Sequence, residues 1–362
     1  MLNAPTLPTQ NWRLSGLDSI RIVCAFMVAL NHFGGKFGPD LQPLVGERLA
    51  WVINELIGII PNGPAAVIVF FVLSGFVVHL PRVEGRPLQL PEYLCRRYVR
   101  IAPAAALTAI VYFSLGVIPA GMNVNASVLW SIVCELIYYG LYPLIIRSRI
   151  PIAALMIGAF CLVFAIAFGN HLPAHSSFTT FGYGSWLIGL PCWLAGCWLA
   201  ENYTRFPAWT DRRLWIVRGA IWALGAAQML WHWHGNAGVF SSNIFSLVLF
   251  TVPATLWLGL EARALRASPP PLDRLGAASY SLYLAHPVAL WAFASFDHRG
   301  WLLLLAYAVT TTAFTMVCYF GVERPTHRLA KRLGRLVRSK TKPSLTTSLA
   351  PPLDSGVEGK IS

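Results

Sequence analysis

Arg21 and His32 stand eleven positions apart in one apolar stretch of the chain. At about 100° and 1.5 Å per residue, that separation is three helical turns plus about 20°, with a rise of about 16 Å. A guanidinium and an imidazole would then share one helix face at two depths. Further on, Arg96, Arg97 and Arg100 precede another apolar run. Their i,i+4 and i,i+3 spacings converge on one patch, which suits an anion carrying several phosphates, because arginine binds phosphate bidentately and stays charged. Basic residues before an apolar run also act as topology signals, and spacing alone leaves both readings open. Glu135 sits among apolar residues, with Ser131 one turn before it and Tyr139 one turn after. A carboxylate there must be neutral, paired or turned towards a wet cavity. His286 stands one turn from Tyr283 and directly before Pro287, which kinks a helix. It is either a packing residue or part of a cavity. The pairs His171/His175 and His232/His234 lack acidic or cysteine companions, so no metal site is expected.

The elements that must hold these groups follow from composition. Of 362 residues, 56% are hydrophobic and 12% charged, and apolar runs near twenty residues recur along the chain. A helix needs about 20 apolar residues to cross a hydrocarbon core, so the sequence predicts an all-α, polytopic membrane helix bundle. Ten spans are expected, at residues 17–34, 63–80, 101–119, 128–146, 150–168, 184–200, 215–231, 243–260, 276–296 and 301–321. The net charge of +13 would suggest nucleic acid in a soluble protein, but the basic residues fall in alternate loops. With both termini cytoplasmic, only Lys36, Arg48 and Arg299 of the 28 Lys and Arg lie outside, so charge reads as topology and no nucleic-acid partner is expected. The seven cysteines form no CxxC pair and read as packed small residues. The polar segment Met1 to Gly16 leads straight into a full-length span, so no cleavable leader is expected. The expected organisation is a cytoplasmic segment at 1–16, a transmembrane domain at 17–325 and a basic, then disordered, tail at 326–362.

Six stretches, in order, resemble the membrane acyltransferase family 3. They are Leu17 to Arg21 continuing to His32, the run Phe70 to Phe76 (FFVLSGF), Arg96 to Pro103, Trp130 to Tyr139, the run Ser279 to Pro287 (SYSLYLAHP), and Val322 to Pro325. The resemblance implies an inner-membrane enzyme that transfers an acyl group, acetyl by default, from cytoplasmic acyl-CoA to a hydroxyl of a saccharide or related acceptor. By the same resemblance Arg21, Arg96, Arg97 and Arg100 bind the coenzyme A phosphates and His32 is the general base. Glu135 joins it as a catalytic residue, orienting or stabilising the imidazole or lining the acceptor path. Ser131, Tyr139 and Tyr283 are candidate oxyanion donors and, with His286, candidate substrate contacts. A secondary transporter of a small polar solute or glycan precursor is the alternative that ten helices and a few buried charges also allow.

Overall fold

In the computed structural model, residues 15–34, 38–124, 127–170, 176–234, 243–266, 268–296 and 300–341 are described. Among these the regular elements are helices, and the isolated bridge between Thr210 and Leu265 is the β pairing present. In chain order they are α1 (Leu17–Phe33), α2 (Gly38–Val45), α3 (Glu47–Ile59), α4 (Gly63–Val83), α5 (Leu90–Leu115), α6 (Leu129–Ser148) and α7 (Ile152–Gly169). There follow α8 (Ser185–Asn202), α9 (Asp211–His234), α10 (Asn243–Ala262), α11 (Asp273–Gly276), α12 (Ser279–Ala292), α13 (Trp301–Cys318) and α14 (Arg324–Thr341).

Every expected apolar run coincides with a helix, or in the case of 276–296 with the pair α11 and α12. Among the described residues seven stretches, carried by α4, α5, α6, α7, α9, α10 and α13, are long and apolar enough to cross a membrane. The expected count of ten is not reached by that measure. The shortfall has local causes: α1 has 17 residues, α12 has 14 because the segment breaks on both sides of it, and α8 mixes its leucines with glycine, proline, Glu201 and Asn202. Three elements were not foreseen: α2 and α3 fill the expected outer loop after α1, and α14 occupies the start of the expected tail.

Burial divides the bundle into an inner and an outer set. In the apolar stretches of α4 and α10, 61% of residues are buried, against 17% in α7, α9 and α13. The outer helices present Leu302, Leu305, Val309 and Ile157 at their surface, as lipid contact requires. The closest inner contact is between α4 and α8. A Cβ on Gly75 would lie 2.0 Å from the Trp193 carbonyl oxygen, and one on Gly196 would lie 2.0 Å from that of Val72. Only glycine lets the two backbones meet there, as in other membrane helix pairs packed on small residues. This accounts for the glycine within the run Phe70 to Phe76.

The N-terminus of α1 is held from a distance. Asp273 accepts from the backbone N–H of Gly16 (3.0 and 2.7 Å) and Ser19 (2.9 Å) and from the Ser19 hydroxyl (2.5 Å). A carboxylate at this position satisfies orphan donors and complements the helix dipole, which fixes the depth of Arg21 and His32. At the start of α4, Asn62 accepts from Ala65 N–H (2.9 Å) and donates to the Gly225 carbonyl (2.8 Å), tying α4 to α9.

Candidate active site

Inner helices and the ends of α5, α13 and α14 enclose a cavity of about 410 Å³, within the roughly 300–1,000 Å³ common for small-molecule sites. Its composition changes along its length. One end carries Arg21 of α1, Arg97 and Arg100 of α5, and Arg324 and His327 of α14. The middle carries Ser74 of α4, Glu135 and Tyr139 of α6, and Glu323. The other end is Val67, Phe70, Ser131, Ile132 and Tyr283. On α4 the lining runs from Val67 to Val77, ten positions on, or about 15 Å along the axis.

The expected helical convergence of the arginines occurs because α5 begins at Leu90, eleven residues before the predicted span, so the arginine run lies inside the helix. Two of the three reach the cavity. Arg97 stands over the rings of Tyr139 (5.4 Å) and Tyr93 (6.0 Å) and donates to the Val77 carbonyl at 3.5 Å. Arg100 lines the cavity without an ion pair among the described residues. Arg96 is not on the lining: it pairs with Glu92 at 2.6 Å, and its side chain packs against Gly334 of α14. Arg21 lines the cavity and pairs with Asp18 at 2.8 Å, one turn earlier.

Glu135 is held by hydroxyls. Its carboxylate accepts from Ser74 at 2.6 Å and from Tyr139. It contacts neither His32 nor His286, so of the roles expected for it, orientation of the imidazole has no contact behind it. Ser131 and Tyr283 are joined hydroxyl to hydroxyl at 2.8 Å, and Tyr283 also donates to the Val128 carbonyl at 3.1 Å.

His32 lies beyond the cavity's apolar end. Its Nδ1 is 2.8 Å from Nε2 of His286, a residue with no exposed surface, while His32 itself is exposed. The rings are within 13° of parallel with centroids 5.0 Å apart. The nitrogen contact plus the two ring radii spans that separation, so the rings meet edge to edge along a hydrogen bond. The tautomers follow if both rings are neutral. Nδ1 of His286 lies 3.4 Å from the Leu282 carbonyl oxygen, which only accepts, so this nitrogen carries the proton. Nε2 of His286 is then an acceptor, Nδ1 of His32 is the donor, and Nε2 of His32 keeps its lone pair. Tyr283 separates this pair from the cavity, its ring 5.8 Å from that of His286.

Among the lining residues given no role from the sequence are Ser74, Glu323, Arg324 and His327. Ser74 lies in the run Phe70 to Phe76, and Glu323 and Arg324 lie in Val322 to Pro325, so all three stand in stretches that carry the resemblance without an expected role. A π-helical turn, Tyr319–Glu323, joins α13 to α14 and turns both of its terminal side chains into the cavity. Glu323 is buried and accepts from Ser281 N–H (3.0 Å) and hydroxyl (2.5 Å), which ties α12 to this turn. Arg324 and His327 belong to α14, where no apolar run pointed to a packed helix. His171, His175 and residues 342–362 lie outside the described residues.

A protein-family model described as an acyltransferase domain matches residues 14–320. No curated protein and no solved structure matches the chain.

Proposed function

Because the chain belongs to acyltransferase family 3 by a match over residues 14–320, we propose that it moves an acyl group, acetyl by default, from cytoplasmic acyl-CoA to a hydroxyl of a saccharide or related acceptor in a bacterial inner membrane. The observation that carries this reading is the cavity's gradient, from guanidiniums at one end to hydroxyls and aromatic rings at the other. The phosphates of coenzyme A sit on Arg21, Arg97 and Arg100, with Arg324 as a further cation. The pantetheine arm then runs past Glu135 and Tyr139 towards Ser131 and Tyr283.

His32 is the general base. Its Nε2 takes the proton of the acceptor hydroxyl as that oxygen attacks the thioester carbonyl; the C–S bond breaks, and the imidazolium returns the proton to the departing thiolate. His286 supports this by accepting from Nδ1 of His32, which leaves Nε2 as the basic nitrogen. Tyr283 lies between the cavity end and the histidines, so the reading requires its ring to turn aside when the acyl group arrives. Tyr283 and Ser131 then become hydroxyl donors to the carbonyl oxygen, the stabilisation an oxyanion needs. Glu135 fixes Ser74 and Tyr139 along the thioester path.

The test is thiol release from acetyl-CoA by purified protein with an acceptor mixture from bacterial envelopes. His32→Ala is expected to lower turnover by roughly 10²–10⁴-fold while the unfolding temperature holds. Unchanged turnover in that variant sinks the assignment of the base.

A further inference from the structure

A second cavity, of about 320 Å³, opens at the same end of the bundle as the arginines, between α4, α6, α7 and α8. Its cations are Arg82, in the last turn of α4, and Arg149, just past α6. Neither side chain makes a hydrogen bond or an ion pair among the described residues, and both residues are exposed. The remaining polar wall is already engaged: His79 contacts the Tyr142 hydroxyl through Nδ1 at 3.1 Å and Glu201 through Nε2 at 3.2 Å. Glu201 therefore puts one negative charge in the cavity against two guanidiniums, and the excess is positive.

Arg149 adds an independent sign. It is the one non-glycine residue among those described with a positive φ, at 57°. It ends α6 in the left-handed conformation where glycine is the usual residue. An arginine there holds a backbone conformation that its Cβ disfavours, and it lines the cavity together with Arg82. The apolar wall includes Ile145 and Ile150, the latter 48% exposed, and continues into α7, whose surface is largely open to lipid. A phosphate-sized anion between two guanidiniums, with an apolar body leading out along isoleucines, matches a basic pocket between membrane helices.

We infer that this second cavity binds the phosphate of an anionic phospholipid headgroup between Arg82 and Arg149, with an acyl chain laid along Ile145 and Ile150. The flanking isoleucine wall favours a lipid over a free anion. This stands apart from the acyl-transfer reading, since none of these residues lines the first cavity.

The experiment is thermal unfolding of the full chain in detergent with added phosphatidylglycerol, phosphatidylcholine or inorganic phosphate. Wild type is expected to gain several degrees with phosphatidylglycerol alone. The double variant Arg82→Gln, Arg149→Gly is expected to lose at least half of that gain, the basic residues of α14 supplying a background. Its own unfolding temperature without lipid is expected to equal or exceed wild type, because glycine relieves the left-handed backbone. The single variant Arg82→Gln, which leaves the backbone alone, is expected to lose part of the gain. An undiminished gain in both variants overturns the site. A gain of the same size with inorganic phosphate overturns the lipid as its source.

Discussion

Arg97 and Arg100 face the first cavity, whereas Arg96, adjacent in the chain, pairs with Glu92 and packs against α14. The difference predicts a division of kinetic effects. A charge-assisted hydrogen bond is worth about 1.5–3 kcal/mol, so Arg97→Ala and Arg100→Ala are each expected to raise the apparent KM for acetyl-CoA by roughly tenfold or more. The KM for the acceptor moves little, and Arg96→Ala leaves both constants near wild type. Initial-rate measurements across both substrate concentrations decide this, and equal rises for the two substrates count against phosphate binding at these arginines. The helical spacing of the three was legible in the sequence. Which of them faces inward was not, because that depends on the side of α5 where α14 docks. The Glu135 to Tyr139 contact was legible as i,i+4, while Ser74 and the His32 to His286 contact join helices far apart in the chain.

At the scale of elements, the site rests on the approach of α4 to α8. Ser74 holds Glu135, and the next residue, Gly75, lies against the α8 backbone. Adding a methyl group there moves α4 outward and takes Ser74 with it. Gly75→Ala is expected to destabilise by about 1–3 kcal/mol or more, as overpacking does. Gly158, in α7, has nothing within 4 Å of its would-be Cβ. Gly158→Ala is expected to be neutral or to stabilise by up to about 1 kcal/mol through helix propensity. Chemical or thermal unfolding in detergent compares the two, and equal midpoints would show that the backbones part without cost. Helical character was readable throughout the apolar runs, because period and length both point to it. The packed helix α14 was not, since its stabilising face is a few small and apolar residues among many charges, Ala330 and Gly334 among those buried.

For the molecule as a whole, the decisive arrangement is that one end of the bundle collects the cations of both cavities while His32 lies towards the other. Charge asymmetry in the loops predicts that the cationic end is cytoplasmic, and only that orientation lets intracellular acyl-CoA reach Arg97 and Arg100. The helices fix which positions report on it. Arg86, between α4 and α5, is exposed at the cationic end, and Met122, between α5 and α6, is exposed at the opposite end. A cysteine placed at Met122 is expected to react with a membrane-impermeant maleimide in intact spheroplasts. A cysteine placed at Arg86 is expected to react only after the membrane is opened. Four native cysteines, at 24, 134, 192 and 197, are buried, whereas Cys161 is exposed and Cys95 and Cys318 are half-buried, so those three are first replaced by alanine to remove the background. Labelling at Arg86→Cys from outside would invert the bundle, place the guanidiniums away from the acyl-CoA pool and remove the basis for the proposed donor path.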